Sequence, residues 1–555
     1  KLEAIKKSLV QSRIFREATA ILSPFAISST RIAKLCNAFG EETVHILRHH
    51  PYRLCGIEEV DFSLADQIAQ AGNLDPGSTE RVDTGMAYVL SRPEKTGNLC
   101  LEKHEFLYQV RELLGKRRFS LPALAERAAE LVKNRQLFSF HKWVYLWRTG
   151  CVEGALARAV AEKLLHQGPA QPSFWREELL QVEAELGMTL NDQQRKAVLT
   201  AVSSPLTILT GGPGTGKTMT QKALVSLYHR VYPGKTVACC APTGRAARRM
   251  EESTGVKAAT IHKALQLLAG EDGVFSEPEP LDADLVLVDE VSMLDVYLAE
   301  SLFRALKPGC QLVLVGDADQ LPSVGPGAVL RELLSCGQIP VVRLTKIYRQ
   351  SADSPIPINA ALIRAGNLHL EYGKDFQFVE CADMACSAGM MEELYLREAG
   401  RFGVDNVALL SPFRKKTETG VNALNPKLRE WINPKAPDKP EISHGKRLFR
   451  LGDKVMQVRN FQDISNGDIG YVAAVENRED GPVLKVDFGE DRVMEYDGSQ
   501  LDLLDLAYAT TIHKSQGSEY DSVIISVQCA HSVMLNRPLL YTAITRAKKR
   551  VILVG

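Results

Sequence analysis

The stretch "LTILTGGPGTGKT", Leu206–Thr218, decides the fold. Its apolar, β-branched opening reads as a buried strand, and the helical spacing of the following "MTQKALVSLYHR" reads as the helix after it. Between them lies G-x-x-x-x-G-K-[ST]. Glycines let successive backbone N–H groups curl around phosphate, Lys217 can reach the β- and γ-phosphates, and the Thr218 hydroxyl can ligate Mg²⁺. The cradle comprises Gly212, Pro213, Gly214, Thr215, Gly216, Lys217 and Thr218.

The same rhythm recurs outward from this point. "TVACCAPTG", "LVLVDEVS" and "QLVLVGDAD" are short apolar runs closed by Gly, Pro or Asp, each followed by a helical pattern. Strand, loop and helix in succession predict a parallel sheet covered by helices on both faces, with ligands at the carboxyl ends of the strands. A second set begins at "NVALLSPFRKK" and resumes with "DSVIISVQ" and "RVILVG". The intervening "RLFRLGDKVMQVRN", "DIGYVAAVENRED", "GPVLKVDFGED" and "RVMEYDG" alternate and turn like a small all-β insertion over residues 446–503. Up to about Pro172 the period is helical, as in "SLPALAERAAELVKN" and "GALARAVAEKLLHQ", so the front section is expected to be all-helical.

Composition narrows the class. A chain of 555 residues should hold roughly three to four domains. Its 45% hydrophobic and 24% charged residues match a soluble globular average, and no run approaches the ~18 apolar residues of a membrane helix. Lys plus Arg (67) balances Asp plus Glu (67), so attraction to nucleic acid must come from local clusters such as "GRAARRM", "FRKK" and "RAKKR". The eleven scattered cysteines show no zinc or disulfide spacing and read as reduced thiols of a cytoplasmic protein. Position 1 is Lys rather than Met, so the native start is expected to be missing, and the basic-then-apolar opening is read as a helix rather than a signal peptide.

"LVLVDEVS" brings Asp289 and Glu290 to the end of a buried strand, where adjacent carboxylates are costly without a cation or a task. Asp289 is expected to bind Mg²⁺, and Glu290 to activate the attacking water of NTP hydrolysis. "VGDADQLPSVGPG" places Gln320 past a third strand, where an amide could sense the γ-phosphate and link it to a neighbouring domain. Arg349 of "LTKIYRQ" and Arg546 of "LLYTAITRAKK" are candidate arginine fingers.

The ordered series "LNDQQRKAV", "GGPGTGKT", "APTGRAA", "LVDEVSMLD", "VGDADQLPSVGPG", "IYRQ", "TIHKSQGSEYDSVI" and "YTAITRA" resembles the motif set of superfamily 1 helicases, and more narrowly their RecD-like 1B branch. That resemblance implies ATP and Mg²⁺ as cofactors and 5′ to 3′ movement on single-stranded DNA. It implies that Gln194 reads the adenine and that Gly517 and Glu519 lie near the nucleotide and the facing domain edge. It also explains the tetrapeptide "TIHK", which occurs at Thr260–Lys263 and again at Thr511–Lys514. In the family these loops face nucleic acid, so Thr260, His262 and Lys263 would grip the sugar-phosphate backbone from one motor domain, with Pro242 and Thr243 beside them. Thr511, His513 and Lys514 would grip it from the other.

The implied architecture is two RecA-like parallel α/β motor domains, residues 186–345 and 346–555. The first would carry a duplex-splitting pin hairpin at 266–280, and the second an SH3-like insertion at 446–503. The front section, residues 1–180, resembles the helix-hairpin-helix region of partner-independent RecD-like enzymes; its first hairpin lacks the paired glycines that approach a phosphate backbone, leaving DNA binding and a docking role both open. The expected partners are single-stranded DNA and duplex junctions, with no membrane, in repair or recombination, and the chain is expected to act as a monomer. Two rivals stand beside this reading: a motor subunit of a recombination nuclease that works only beside partners, and an ATP-gated clamp that does not unwind. Shortening residues 269–277 should abolish strand separation in a duplex-displacement assay while sparing DNA-stimulated ATP hydrolysis; unwinding at the normal rate would refute the pin.

Overall fold

The computed structural model describes residues 2–57, 60–166, 172–268, 275–348, 354–367, 369–415, 417–445, 447–478, 481–489, 492–498 and 500–555. They form two compact units, Lys1–Ala157 with Val324–Gly327, and Arg158–Ser323 with Ala328–Gly555.

The first unit begins with helices Leu2–Leu22, Ser29–Phe39, Thr43–His49 and Phe62–Ala71, which enclose Leu22, Leu35, Ile46, Leu54 and Ile68. Asp61 caps the last of these by accepting the Leu64 N–H at 2.9 Å, satisfying a donor that no helical carbonyl can reach. Helices Thr79–Glu94, Lys103–Leu114 and Leu121–Lys133 surround a second core containing Met86, Phe106, Val110, Leu124 and Leu131. The helical expectation holds, with one addition. Cys100–Glu102, Trp143–Leu146 and Leu137–Phe140 form an antiparallel sheet in that order. Strands of three and four residues are too short for alternation to declare itself in sequence.

The second unit contains both motor sheets. The first runs Ala258–Thr260, Val237–Ala241, Leu285–Val288, Gln311–Gly316, Leu206–Gly211 and Val341–Leu344, all parallel. Leu285–Val288 and Gln311–Gly316 are buried at every position, as strands covered on both faces must be. The second runs Phe376–Val379, Ala547–Val554, Tyr520–Ser526, Val407–Ser411 and Ala509–Thr511, again all parallel. In each sheet the strand that ends in the "TIHK" threonine is an edge strand.

The insertion folds as a five-stranded antiparallel sheet in the order Val493–Tyr496, Gly481–Asp487, Ile469–Arg478, Lys454–Gln457 and Leu504–Leu506. Phe449, Val455, Val472, Leu484, Val486 and Leu504 fill its core. A buried asparagine ties its exit to the helix that leads into it. Asn425, on Val421–Ile432, donates to the Leu506 and Ala509 carbonyls at 2.8 and 3.0 Å and accepts the Ala509 N–H at 2.7 Å. Asn425→Ala would leave three buried backbone groups unpaired, so urea unfolding should register a loss on the order of 3 kcal/mol.

Candidate active site and nucleic-acid interface

The phosphate loop lies where the sequence predicts, between strand Leu206–Gly211 and helix Lys217–Val231. Gly214 and Gly216 take φ of 72° and 83°, and a Cβ on Gly216 would stand 2.3 Å from Gln194 Nε2. Glycine there answers both a left-handed backbone and a close approach. The Lys217 ammonium donates to the Gly211 and Gly212 carbonyls at 2.7 and 3.1 Å, resting on its own loop.

A cleft of about 310 Å³ opens from this loop. Gly212, Pro213, Gly214, Gly216, Lys217 and Thr218 line it together with Asp289, Glu290 and Gln320 from the first sheet, and Glu519 and Arg546 from the second. Sites some three hundred residues apart in sequence thus share one cavity. Asp289 Oδ1 accepts the Glu290 N–H at 2.8 Å, while Glu290 takes a left-handed φ of 53° at the strand end. Burial raises the Glu290 pKa and the neighbouring Asp289 charge adds to it, against the opposing pull of Arg546, Lys217 and Arg249. Burial lowers the pKa of Arg546, and the Glu290 charge counters it. Arg546 is held by the Thr542 and Ser518 carbonyls, each at 3.1 Å.

The arrangement fits a nucleotide and its cation. Gln320 is 5% exposed, and its Oε1 has no hydrogen-bond partner, although its Nε2 donates to Asp317 Oδ2 at 3.4 Å. Ser292 Oγ, just past the Asp-Glu strand end, is likewise buried and unpartnered. The Gln320 oxygen, orphaned among the described residues in a cleft lined by a phosphate-type loop and two carboxylates, suits a polar, charged occupant.

Three expected nucleotide residues do not line the cleft. Thr215 is buried with its hydroxyl on the Gly212 carbonyl at 2.8 Å, so it braces the loop from within. Gln194 closes a capping box with Asn191 and sends Nε2 toward the Thr215 carbonyl at 3.5 Å. Gly517 packs against Thr243 and Ala246 instead. Arg349 lies outside the described residues.

The sequence reading missed Arg249, Met250 and Ser253, which line the cleft from helix Gly244–Thr254, and also Tyr348. Arg249 pairs with Glu519 at 3.1 Å and reaches the Gly517 carbonyl at 3.4 Å. Its signal was present in "GRAARRM", read only as a basic cluster; helical periodicity cannot say which of consecutive arginines faces a cleft built by another domain. Tyr348 is tethered by its N–H on the Gly214 carbonyl at 2.8 Å.

The loop after strand Gln311–Gly316 joins the two sheets. The Tyr541 hydroxyl donates to Asp317 Oδ2 at 2.9 Å, the Leu321 N–H donates to Thr542 Oγ1 at 2.9 Å, and Gln516 Nε2 donates to the Leu321 carbonyl at 3.2 Å. Gln320, which lines the phosphate cleft, and Asp317 and Leu321, which bond to the far domain, therefore sit on one short segment.

The two "TIHK" copies are also structural copies. Thr260 Oγ1 accepts the Lys263 N–H at 3.2 Å, and Thr511 Oγ1 accepts the Lys514 N–H at 3.4 Å. Each strand end thus turns into a short helical segment that presents a lysine. Burial lowers the pKa of both His262 and His513, which favours neutral rings. The His262 ring meets Phe275 edge-on at 5.1 Å. Thr243 caps helix Gly244–Thr254 by accepting the Ala246 N–H at 3.3 Å, directly after Pro242. Of the expected pin, residues 269–274 lie outside the described residues; at its base Leu268 and Ser276 exchange hydrogen bonds at 2.9 and 3.0 Å.

Four family models match the chain. They are an AAA domain over residues 189–384, a UvrD-like helicase C-terminal domain over 506–554, an ATP-dependent RecD-like DNA helicase SH3 domain over 424–488, and an ATP-dependent RecD2 DNA helicase HHH domain over 11–100. The ATP-dependent RecD2 DNA helicase of Deinococcus radiodurans is 33% identical over 574 residues, covering 100% of this chain and 76% of that protein. The RecBCD enzyme subunit RecD of Mycobacterium tuberculosis is 33% identical over 408 residues, covering 66% of this chain and 69% of its own. Among solved structures, a Bacteroides Pif1 helicase in complex with ADP-AlF3 and single-stranded DNA is 20% identical, with a TM-score of 0.43 over 66% of this chain and 92% of that one. With its phosphate loop, its two parallel sheets and a relative aligned along its whole length, the chain belongs to the ATP-dependent RecD2 DNA helicase family.

Proposed function

We propose that this chain is an autonomous ATP-driven motor that moves 5′ to 3′ along single-stranded DNA and unwinds duplex at a junction. It acts as a monomer in the cytoplasm, in repair or recombination. The observation that carries this reading is the composition of the cleft: Lys217, Asp289, Glu290 and Gln320 come from one sheet and Arg546 from the other. Charge placed between them changes how well the two sheets fit, so a phosphate gained or lost there moves one domain against the other.

Lys217 leaves its loop carbonyls to pair with the β- and γ-phosphates. Thr218 and Asp289 are the residues that would hold Mg²⁺, which neutralises charge on the phosphate oxygens when bound. Glu290 accepts a proton from the attacking water; its position beside Asp289 favours a basic carboxylate. Gln320 turns its unpartnered Oε1 to the attacking water, from which it accepts a hydrogen bond, and passes the change through Asp317 to Tyr541. Arg546, and Arg349 with it, stabilise the charge that develops during transfer. Gln194, its amide engaged by Asn191 and the Thr215 carbonyl, braces the phosphate loop, Glu519 holds Arg249 at the rim, and Gly517 keeps the facing segment close enough for that contact.

Thr260, His262 and Lys263 hold the strand from the first domain, beside Pro242 and Thr243. Thr511, His513 and Lys514 hold it from the second. With neutral rings, the histidines donate hydrogen bonds while the lysines supply charge. Alternation of the two grips draws the strand through, and contact with sugar and phosphate rather than bases makes the motor indifferent to sequence. The described residues contain no helix long and apolar enough to cross a membrane. A subunit that moves only beside partners is the weaker reading, because the RecD alignment covers 66% of this chain while the RecD2 alignment covers all of it and a RecD2 HHH model matches residues 11–100.

Two outcomes test this reading. Strand displacement with ATP and Mg²⁺ on matched duplexes should proceed from a 5′ tail and fail from a 3′ tail, and Lys217→Ala should abolish it together with hydrolysis. No displacement from either tail, with DNA-stimulated hydrolysis intact, would favour the partner-dependent motor or the clamp. Glu290→Gln should lower kcat for ATP hydrolysis by roughly 10²- to 10⁴-fold. In the unsubstituted protein kcat should fall on acidification through a pKa above the ordinary glutamate value of 4.5, because only the deprotonated carboxylate accepts the proton.

A further inference from the structure

The loop that joins strands Lys454–Gln457 and Ile469–Arg478 of the β insertion carries the sequence "FQDISNGD", Phe461–Asp468. Its two ends behave differently. At the base, Asp468 is 2% exposed and accepts two hydrogen bonds from Arg248, at 2.7 and 3.1 Å, with Arg492 at 3.1 Å. Burial, the largest influence, would raise the Asp468 carboxyl, and Arg248, the Ser465 N–H and Arg492 together outweigh it, holding the group below its usual range. Ile464 is buried in the barrel core, and Phe461 and Ile464 exchange backbone hydrogen bonds at 3.0 Å. Ser465 rests on Gly244 of "APTG", where a Cβ would meet its Oγ at 2.7 Å. The loop is thus firmly seated on the first motor domain.

Its outward side chains meet both "TIHK" lysines. Asp463 Oδ1 stands 2.8 Å from Lys263 Nζ of the first domain, and Asn466 Oδ1 accepts from Lys514 Nζ of the second. One loop therefore occupies the two ammonium groups assigned above to the DNA strand. The Asp463–Lys263 pair is open to water, with side chains 76% and 69% exposed, unlike the Asp468–Arg248 anchor. A carboxylate and a phosphate are interchangeable partners for an ammonium, and an exposed pair is weak and easily exchanged.

We propose that Phe461–Asp468 is a strand-displaceable clasp. In the DNA-free protein, Asp463 stands in for a backbone phosphate on Lys263 and Asn466 for a sugar or phosphate oxygen on Lys514. The entering strand replaces both, while the Asp468–Arg248 anchor keeps the loop in place beside it. This rests on the reading that Lys263 and Lys514 grip the strand. The clasp makes binding competitive: each strand phosphate must first displace the protein's own anion, which lowers affinity for stray nucleic acid.

The test is the affinity of the full chain for a fluorescein-labelled oligothymidylate, read by anisotropy at low salt, in the unsubstituted protein, Asp463→Ala, Lys263→Ala and the double variant. Both side chains are exposed, and matching thermal unfolding midpoints will establish that the variants fold. Asp463→Ala should bind about two- to threefold tighter. Lys263→Ala should bind more weakly, and the double variant should match it, because Asp463 acts through Lys263. If Lys263→Ala weakens binding and Asp463→Ala does not tighten it, the clasp is overturned and the grip stands. Tightening that persists in the double variant also overturns the clasp. If Lys263→Ala leaves affinity unchanged, the grip reading fails and the clasp falls with it.

Discussion

Arg546 puts a guanidinium, 3% exposed, at the border of two domains with no carboxylate hydrogen-bonded to it among the described residues. Three of its N–H groups go to the Thr542 and Ser518 carbonyls and the Thr545 hydroxyl, and the carboxylate that most raises its pKa is Glu290, across the cleft on the other sheet. Glu290 also feels Lys217 and Arg249 of its own domain, whereas the carboxylates that raise Arg546, Glu290 and Asp317, both lie on the other. Burial lowers the arginine pKa and raises that of the glutamate, and each is moved back by the other. Two domains that share a charge imbalance in this way are sensitive to any anion placed between them, which is the physical basis of a nucleotide-driven motor.

Helix Gly244–Thr254 borders the same cleft and has contacts well beyond it. Thr243 caps its start, Arg248 anchors the insertion through Asp468, and Arg249 lines the nucleotide cleft and pairs with Glu519. Arg245 adds bonds to the Ser518 and Tyr520 hydroxyls. One helix of eleven residues thus touches the cleft, the second sheet and the insertion. A rigid rod with a contact at each face transmits a small displacement without needing a chain of soft intermediates.

Much of the site was legible because its chemistry is local. The phosphate loop, the acidic pair and the duplicated "TIHK" are contiguous, and each needs its residue types at fixed spacing on one strand end. Gln194 and Thr215 show the opposite: their motifs were recognised, yet their side chains are engaged in a capping box and an internal loop bond. Arg249 was visible as one of several basic residues. The front section's helical period was likewise clear, while its small sheet was not, since Cys100–Glu102 finds its pairing partner only at Trp143.

The sequence by itself determined the alternation of strands and helices, the phosphate cradle, and the β character of the insertion. These depend on hydrophobic period and on glycine's backbone freedom, which neighbouring residues specify. Only the tertiary structure decided which arginine enters the cleft, which loop of the insertion meets Lys263 and Lys514, and that Asn425 holds its exit. Those pairings join residues far apart along the chain. Charges and amides find such partners through the packing of separate cores, and no local pattern of residues encodes that packing.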